Sequence, residues 1–188
     1  MVNEHLQSTW GFTCSCTICI DYRLTSKKKL KKRDTLYADI EAAQNDLSPD
    51  AAKIERLLSA LSKTYSAPAH HVPRIGTGAA YMTLKDLHLE RGEGFEVITT
   101  AARVLENLGY VLDGLPPSRA EFKVVKWGPF FNERLEIMAL IAYAFSAVAR
   151  DKYDAAREYV RTLFRCMAGE DHSFEKWFGG RQVEPNVV

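Results

Sequence analysis

Cysteine is scarce in this chain, and what there is stands almost entirely in one place: four in 188 residues, with Cys14, Cys16 and Cys19 inside a single short stretch and only Cys166 elsewhere. That distribution excludes a disulfide framework, which needs well-spread pairs in a secreted chain, and points to a reducing compartment. No apolar run reaches the length of a bilayer span, and the first residues lack the apolar core of an export signal, so the nucleus or the cytoplasm is the expected location and no membrane partner is expected. Net charge is also nearly absent, at +1, which removes any overall electrostatic pull toward nucleic acid. The nucleotide and nucleophile signatures are missing too. Gly76-Thr77-Gly78 has neither the spacing nor the strand-to-helix setting of a phosphate loop and reads as a helix start or a close packing point. Glu41, Asp46, Asp50 and Glu55 have no histidine partner in the pattern and suit a solvated face.

What the chain does have is Trp10-Gly11-Phe12-Thr13-Cys14-Ser15-Cys16-Thr17-Ile18-Cys19, a C-x-C-x-x-C spacing behind a Gly-Phe pair. Zinc takes thiolate and imidazole ligands tetrahedrally, and short spacings let one turn of backbone deliver several sulfurs to one ion. Cys14, Cys16 and Cys19 are therefore the candidate metal ligands, with the fourth position open. Cys166 lies on a helix between apolar neighbours and reads as a small core residue. His5 and Asp21 are close enough in sequence to be recruited, at the expense of a weaker site. The His70-His71 pair, flanked by prolines, reads as an exposed loop. Arg23, Lys27, Lys28, Lys29, Lys31, Lys32 and Arg33 form a basic run without an acid, read as a solvated linker into a helix, with a nuclear-import signal or an acidic partner as the other uses of such a run.

The rest is helical by periodicity. Leu36, Tyr37, Ile40, Ala43 and Leu47 predict an amphipathic helix over 31–47. Ser48 as cap and Pro49 as the first helical residue predict a second, with Ile54, Leu57, Leu58 and Leu61 inward. A third is expected over 73–90, and a fourth from about residue 93 with Phe95, Ile98, Ala102 and Leu105 inward. An irregular insertion should follow over 113–131. Then comes a helix over 132–149, apolar on most sides, and a last long one over 152–168 with Tyr153, Ala156, Val160 and Leu163 inward. The last two inward sets share one spacing, and each follows a helix and a short charged turn, the pattern of stacked helical hairpins of tetratricopeptide type. The expected fold class is all-α, tetratricopeptide-like hairpins behind a short irregular metal-binding segment, with domains over 1–25 and 26–188.

Leu6-Gln7, Trp10-Gly11-Phe12 and the three cysteines ahead of a helical repeat-like region resemble the C-terminal half of a SET-domain protein, of the kind that ends in a post-SET zinc segment and a tetratricopeptide-like domain. Val125-Lys126-Trp127-Gly128 before an apolar helix is similar to fungal members of that group. The resemblance implies an S-adenosylmethionine-dependent protein lysine methyltransferase, or a relative without activity, in which the zinc-ordered loop closes one wall of the cofactor and lysine channel. It implies that Phe12 faces the adenine end of the methyl donor, where the plainer reading has it covering apolar surface. It implies that the fourth zinc ligand is a cysteine of the catalytic core. No element of that core is found in this chain, so no catalytic residue is assigned and S-adenosylmethionine is expected only with the core present. The expectation is a fragment or truncated product, inactive alone. The alternative is a non-enzymatic helical module that takes a protein or peptide in its groove.

Overall fold

The computed structural model describes residues 7–128 and 134–180. The readings that involve His5, Leu6, Pro129 and the start of the helix expected from residue 132 lie outside them. Eight helices carry most of the described chain: α1 (Thr17–Leu24), α2 (Lys27–Gln44), α3 (Ala51–Ser62), α4 (Gly78–Glu90), α5 (Gly94–Asn107), α6 (Arg134–Val148), α7 (Arg150–Ala168) and α8 (Phe174–Gly179). No described helix is long and apolar enough to cross a membrane.

The helix starts follow local chemistry. Ser26 caps α2, its Oγ accepting from Lys29 N, so the helix begins earlier than its apolar pattern does. The lysines of the basic run are thus the first turns of α2 rather than a linker, and Arg33 at their end is buried. The cap of α3 is Asp50, not Ser48. Its Oδ1 accepts from Ala52 N at 2.9 Å, and its carboxylate adds a favourable negative charge at the positive end of the helix. Gly76 sits in a 3₁₀ turn, Ile75–Thr77, leading into α4, and an added Cβ there would meet the Tyr37 ring at 3.0 Å, so the glycine pair marks both a helix start and a close approach.

Two apolar clusters result. Leu36, Ile40, Ile54, Leu58, Leu61 and Leu84 join α2, α3 and α4. Ile98, Leu105, Met138, Ile141, Phe145 and Val160 join α5, α6 and α7, and Tyr81 of α4 packs against both sets. From α2 to α7, consecutive helices therefore pack on one another in series, as helical hairpins do. Helix α6 buries Leu135, Ile137, Met138, Ile141, Ala142 and Phe145 around most of its girth, as its all-round apolar character requires. Two side chains depart from the periodic expectation. Phe95 is half exposed, because it falls in the first turn of α5 while Val97, Ala101 and Val104 widen the buried face on the other flank; Leu47 lies beyond α2 and is fully exposed.

The insertion after α5 is more regular than expected. β1 (Val111–Asp113) pairs antiparallel with β2 (Lys123–Lys126), in the register Val111↔Lys126 and Leu112↔Val124, so that Val125 is bulged out. Phe122 fixes this hairpin to the body through edge contacts with Phe145 and Tyr159, at 5.2 and 5.8 Å between centroids. Lys152, buried at the start of α7, donates to Ala120 O.

Two polar devices tie the elements. His88, buried on α4, has Nδ1 2.6 Å from Glu93 Oε2 and Nε2 3.7 Å from Glu55 Oε1, linking the α4–α5 turn to α3. At the far end, Arg157, Arg161 and Arg165 project from successive turns of α7. They pair with Glu175 and Asp171, while Phe174 and Phe178 of α8 stack on each other and Phe178 stacks on Tyr143. Cys166, in the same last stretch of α7, is exposed and not a core residue, since the inward positions there belong to Leu163 and Phe164.

Candidate functional site

The cysteine segment is shaped by three local constraints. Gly11 adopts φ +71°, a conformation that costs other residues energy, and donates its N–H to Gln7 O, turning the chain away from the helical residues 7–10. Cys16 then takes the N-cap position of α1, its carbonyl accepting from Ile20 N at 2.9 Å, which puts Cys19 one turn further on and on the same side. Arg23 reaches back from α1, and its Nη1 donates to Cys14 O at 2.7 Å, holding the third cysteine beside the other two.

The outcome is a set of three sulfurs all within 4.8 Å of one another. Cys14 and Cys19 are half-buried and Cys16 is exposed. The Cys16 thiol is held below its usual value, first by the backbone N–H of Cys19 and then by the Cys14 thiol. That of Cys19 is pushed up to about 11 by its local burial, by hydrogen bonding to the other two sulfurs and by their like charge. Like charge among thiolates this close is unfavourable, and a bound cation removes that conflict, which is what a metal-thiolate site requires of its ligands. The donor set is soft and fits zinc or a similarly thiophilic ion.

The other candidates for the site are placed elsewhere. Asp21 is buried and its Oδ2 lies 2.6 Å from Arg33 Nη1, so its carboxylate is committed to an ion pair and does not serve as a fourth ligand. The Arg33 guanidinium is shared further: Nε donates to Thr64 Oγ1 and Nη2 to Thr64 O, both at 3.1 Å, and its carbon lies 3.7 Å above the Tyr65 ring. Cys166 is on α7 and is not among the grouped ligands. His71 is exposed and His70 half-buried, with rings 4.4 Å apart. Phe12 is 51% exposed and Trp10 69% exposed. Ile20, Tyr22 and Leu24 also present apolar surface along the same short segment.

Sequence reasoning expected a groove in the helical body but assigned no residue to its lining. A cavity of 610 Å³ opens between α3, α4, α5 and the start of β1, with Ser62, Arg74, Tyr81, Thr100, Asn107 and Leu112 in its wall. These residues come from five separate stretches of chain, and no spacing in the sequence brings them together. Glu55, read as a solvated acid, stands at this wall beside His88.

No family model matches the chain, and no solved structure matches it. A curated fungal protein from Gibberella zeae, described as a methyltransferase, is 25% identical over 171 residues, covering 88% of this chain and 23% of that protein. The chain thus spans under a quarter of the length of the relative it matches. Its likeness is to a methyltransferase, and its described structure is a helical body behind a three-cysteine cluster capable of holding a metal ion.

Proposed function

We propose that this chain is the C-terminal portion of a SET-type protein lysine methyltransferase, with residues 1–25 as a post-SET-like zinc segment and 26–188 as a tetratricopeptide-like domain, and that it is inactive by itself in the nucleus or the cytoplasm. The observation that carries the reading is the convergence of Cys14, Cys16 and Cys19 to within 4.8 Å directly ahead of a helical body, in a chain similar to a small part of a much longer methyltransferase.

Cys14, Cys16 and Cys19 would hold zinc, and the ion would order a stretch too short and polar to fold by burial alone. Arg23 would keep Cys14 in reach through its carbonyl. The exposed Phe12, Trp10, Ile20 and Leu24 would meet the catalytic core, with Phe12 toward the adenine of the methyl donor; an apolar strip of this kind marks a surface meant to be covered. The helical body would supply protein recognition.

The test is metal content. Protein purified without chelator should hold about one zinc per chain, and Cys16→Ser should lower that content sharply. Full zinc in the Cys16→Ser variant would remove the thiolate site, and methyl transfer by the purified chain above a boiled control would overturn the assignment of the chemistry to a missing core. A second reading, a helical interaction module without enzymatic descent, is favoured by the cavity between α3, α4 and α5. It predicts no bound zinc with the body fully folded.

A further inference from the structure

The cavity wall contains a cation that lacks a counter-ion. Arg74 is half-buried, and burial draws its guanidinium below the usual range of that group. Its Nη1 donates to Ser62 Oγ at 2.7 Å and its Nη2 to Ala67 O at 3.1 Å, both neutral acceptors, while Nε is buried with no hydrogen-bond partner. The aromatic face of Tyr65 lies 4.7 Å away, and the same ring is also covered by Arg33. Among the described residues no carboxylate pairs with Arg74. The contrast with its neighbours is direct: Arg33 has Asp21, and Arg103, also on the cavity wall, has Glu106 at 2.9 Å. A guanidinium drawn partly out of water and left without an anion is an unfavourable arrangement that a bound anion relieves, and its planar fork matches a carboxylate.

The remaining wall fits such a guest. Tyr81, Thr100 and Asn107 provide neutral polar groups, Leu58, Leu84 and Leu112 provide apolar surface, and Glu55 and Glu106 oppose a ligand of dense negative charge. The volume is in the range of sites that accept a few residues of peptide or a small organic molecule.

We propose that this cavity is a binding site for a ligand bearing a single carboxylate, with Arg74 as its counter-charge, and that the carboxylate belongs to an acidic side chain of an extended peptide. The proposal deepens the protein-recognition role given above to the helical body, and it is independent of the metal at the cysteines.

Amide chemical shifts of the full chain, assigned by NMR, test it. Three probes are titrated: acetyl-Gly-Glu-Ser-amide, the same peptide with Gln for Glu, and glutarate as a free dicarboxylate. The Glu peptide should shift the amides around Ser62, Arg74, Thr100 and Leu112, with the Gln peptide weaker by about tenfold or more. Glutarate should be weaker than the Glu peptide; if it binds as well or better, the peptide source is wrong and a free small acid is the ligand. Arg74→Gln should abolish the preference for Glu over Gln. Because that change also removes contacts to Ser62, Ala67 and Tyr65, Ser59→Trp is the second variant: Ser59 is an exposed residue of the cavity wall, and its replacement should block binding while the circular dichroism stays that of the parent. Equal shifts with the Glu and Gln peptides, shifts confined to Lys27–Lys32, or unchanged binding in a folded Ser59→Trp variant would each overturn the site. Zinc content is measured on the same samples, so that loss of the metal reading and loss of this one are seen separately.

Discussion

Replacing Asp21 by alanine isolates an ion pair whose two side chains are both buried. Its carboxylate and the Arg33 guanidinium are 6% and 7% exposed, and their nearest atoms are 2.6 Å apart. Breaking a buried pair by deleting one partner costs about 3–5 kcal/mol, because the surviving charge is left without compensation. Here the survivor keeps two hydrogen bonds to Thr64 and the face of Tyr65, and a cation over an aromatic ring returns about 0.5–2 kcal/mol. The expected loss is therefore at the low end, about 3 kcal/mol, or about 6–12 °C in Tm for a chain of this size. Asp21→Asn, which keeps the shape and one acceptor, should cost less. The double variant Asp21→Leu with Arg33→Met, which removes both charges, should lie within about 1 kcal/mol of the parent. Urea unfolding followed by circular dichroism reads all of these. If Asp21→Ala lies within about 0.5 kcal/mol of the parent, as a water-exposed pair would, the argument from burial fails.

Gly114 and Gly92 form a matched pair of tests. Both have φ near +70°, but a Cβ at Gly114 would lie 2.2 Å from Glu121 O on the facing side of the hairpin, whereas at Gly92 it would meet nothing within 4 Å. Gly92→Ala should cost only the left-handed conformation, about 1–2 kcal/mol, and Gly114→Ala clearly more in the same thermal melt; equal losses would refute the close approach. The tyrosines predict sensitivity to alkali. Burial raises the phenol of Tyr143 to about 12 and pushes those of Tyr37, Tyr81 and Tyr110 upward. Groups raised in the folded state contribute stability that is complete below their unfolded value of about 10 and is lost as pH climbs through the folded values. The urea midpoint should therefore hold to about pH 10 and fall beyond it, with native tyrosine absorbance titrating later than in urea; coincident titrations would contradict the burial.

The helices were legible because α2 to α5 and α7 each carry an apolar stripe and α6 is apolar nearly all round, and helical spacing names Ile40, Ile54, Ile98 and Val160 as inward without knowledge of their partners. The cysteine cluster was legible because spacing alone constrains it. The cap at Asp50 was missed because Ser48-Pro49 offers an equally good signal two residues earlier. The 111–126 hairpin was missed because strands of three and four residues carry too little alternation to be seen. Neither the Asp21–Arg33 pair nor the cavity could be read from spacing: a charge looks solvated until its partner twelve residues away is placed, and the wall around Arg74 is assembled from stretches as far apart as Glu55 and Leu112.

The row of guanidinium groups along α7 gives the closing helix two fastenings of opposite temperament. Ionic strength weakens the links to Glu175 and Asp171, while the rings of Phe174 and Phe178 grip more firmly as a kosmotropic salt such as sulfate is added. Helix α8 is thereby kept seated in dilute buffer by one fastening and in concentrated sulfate by the other.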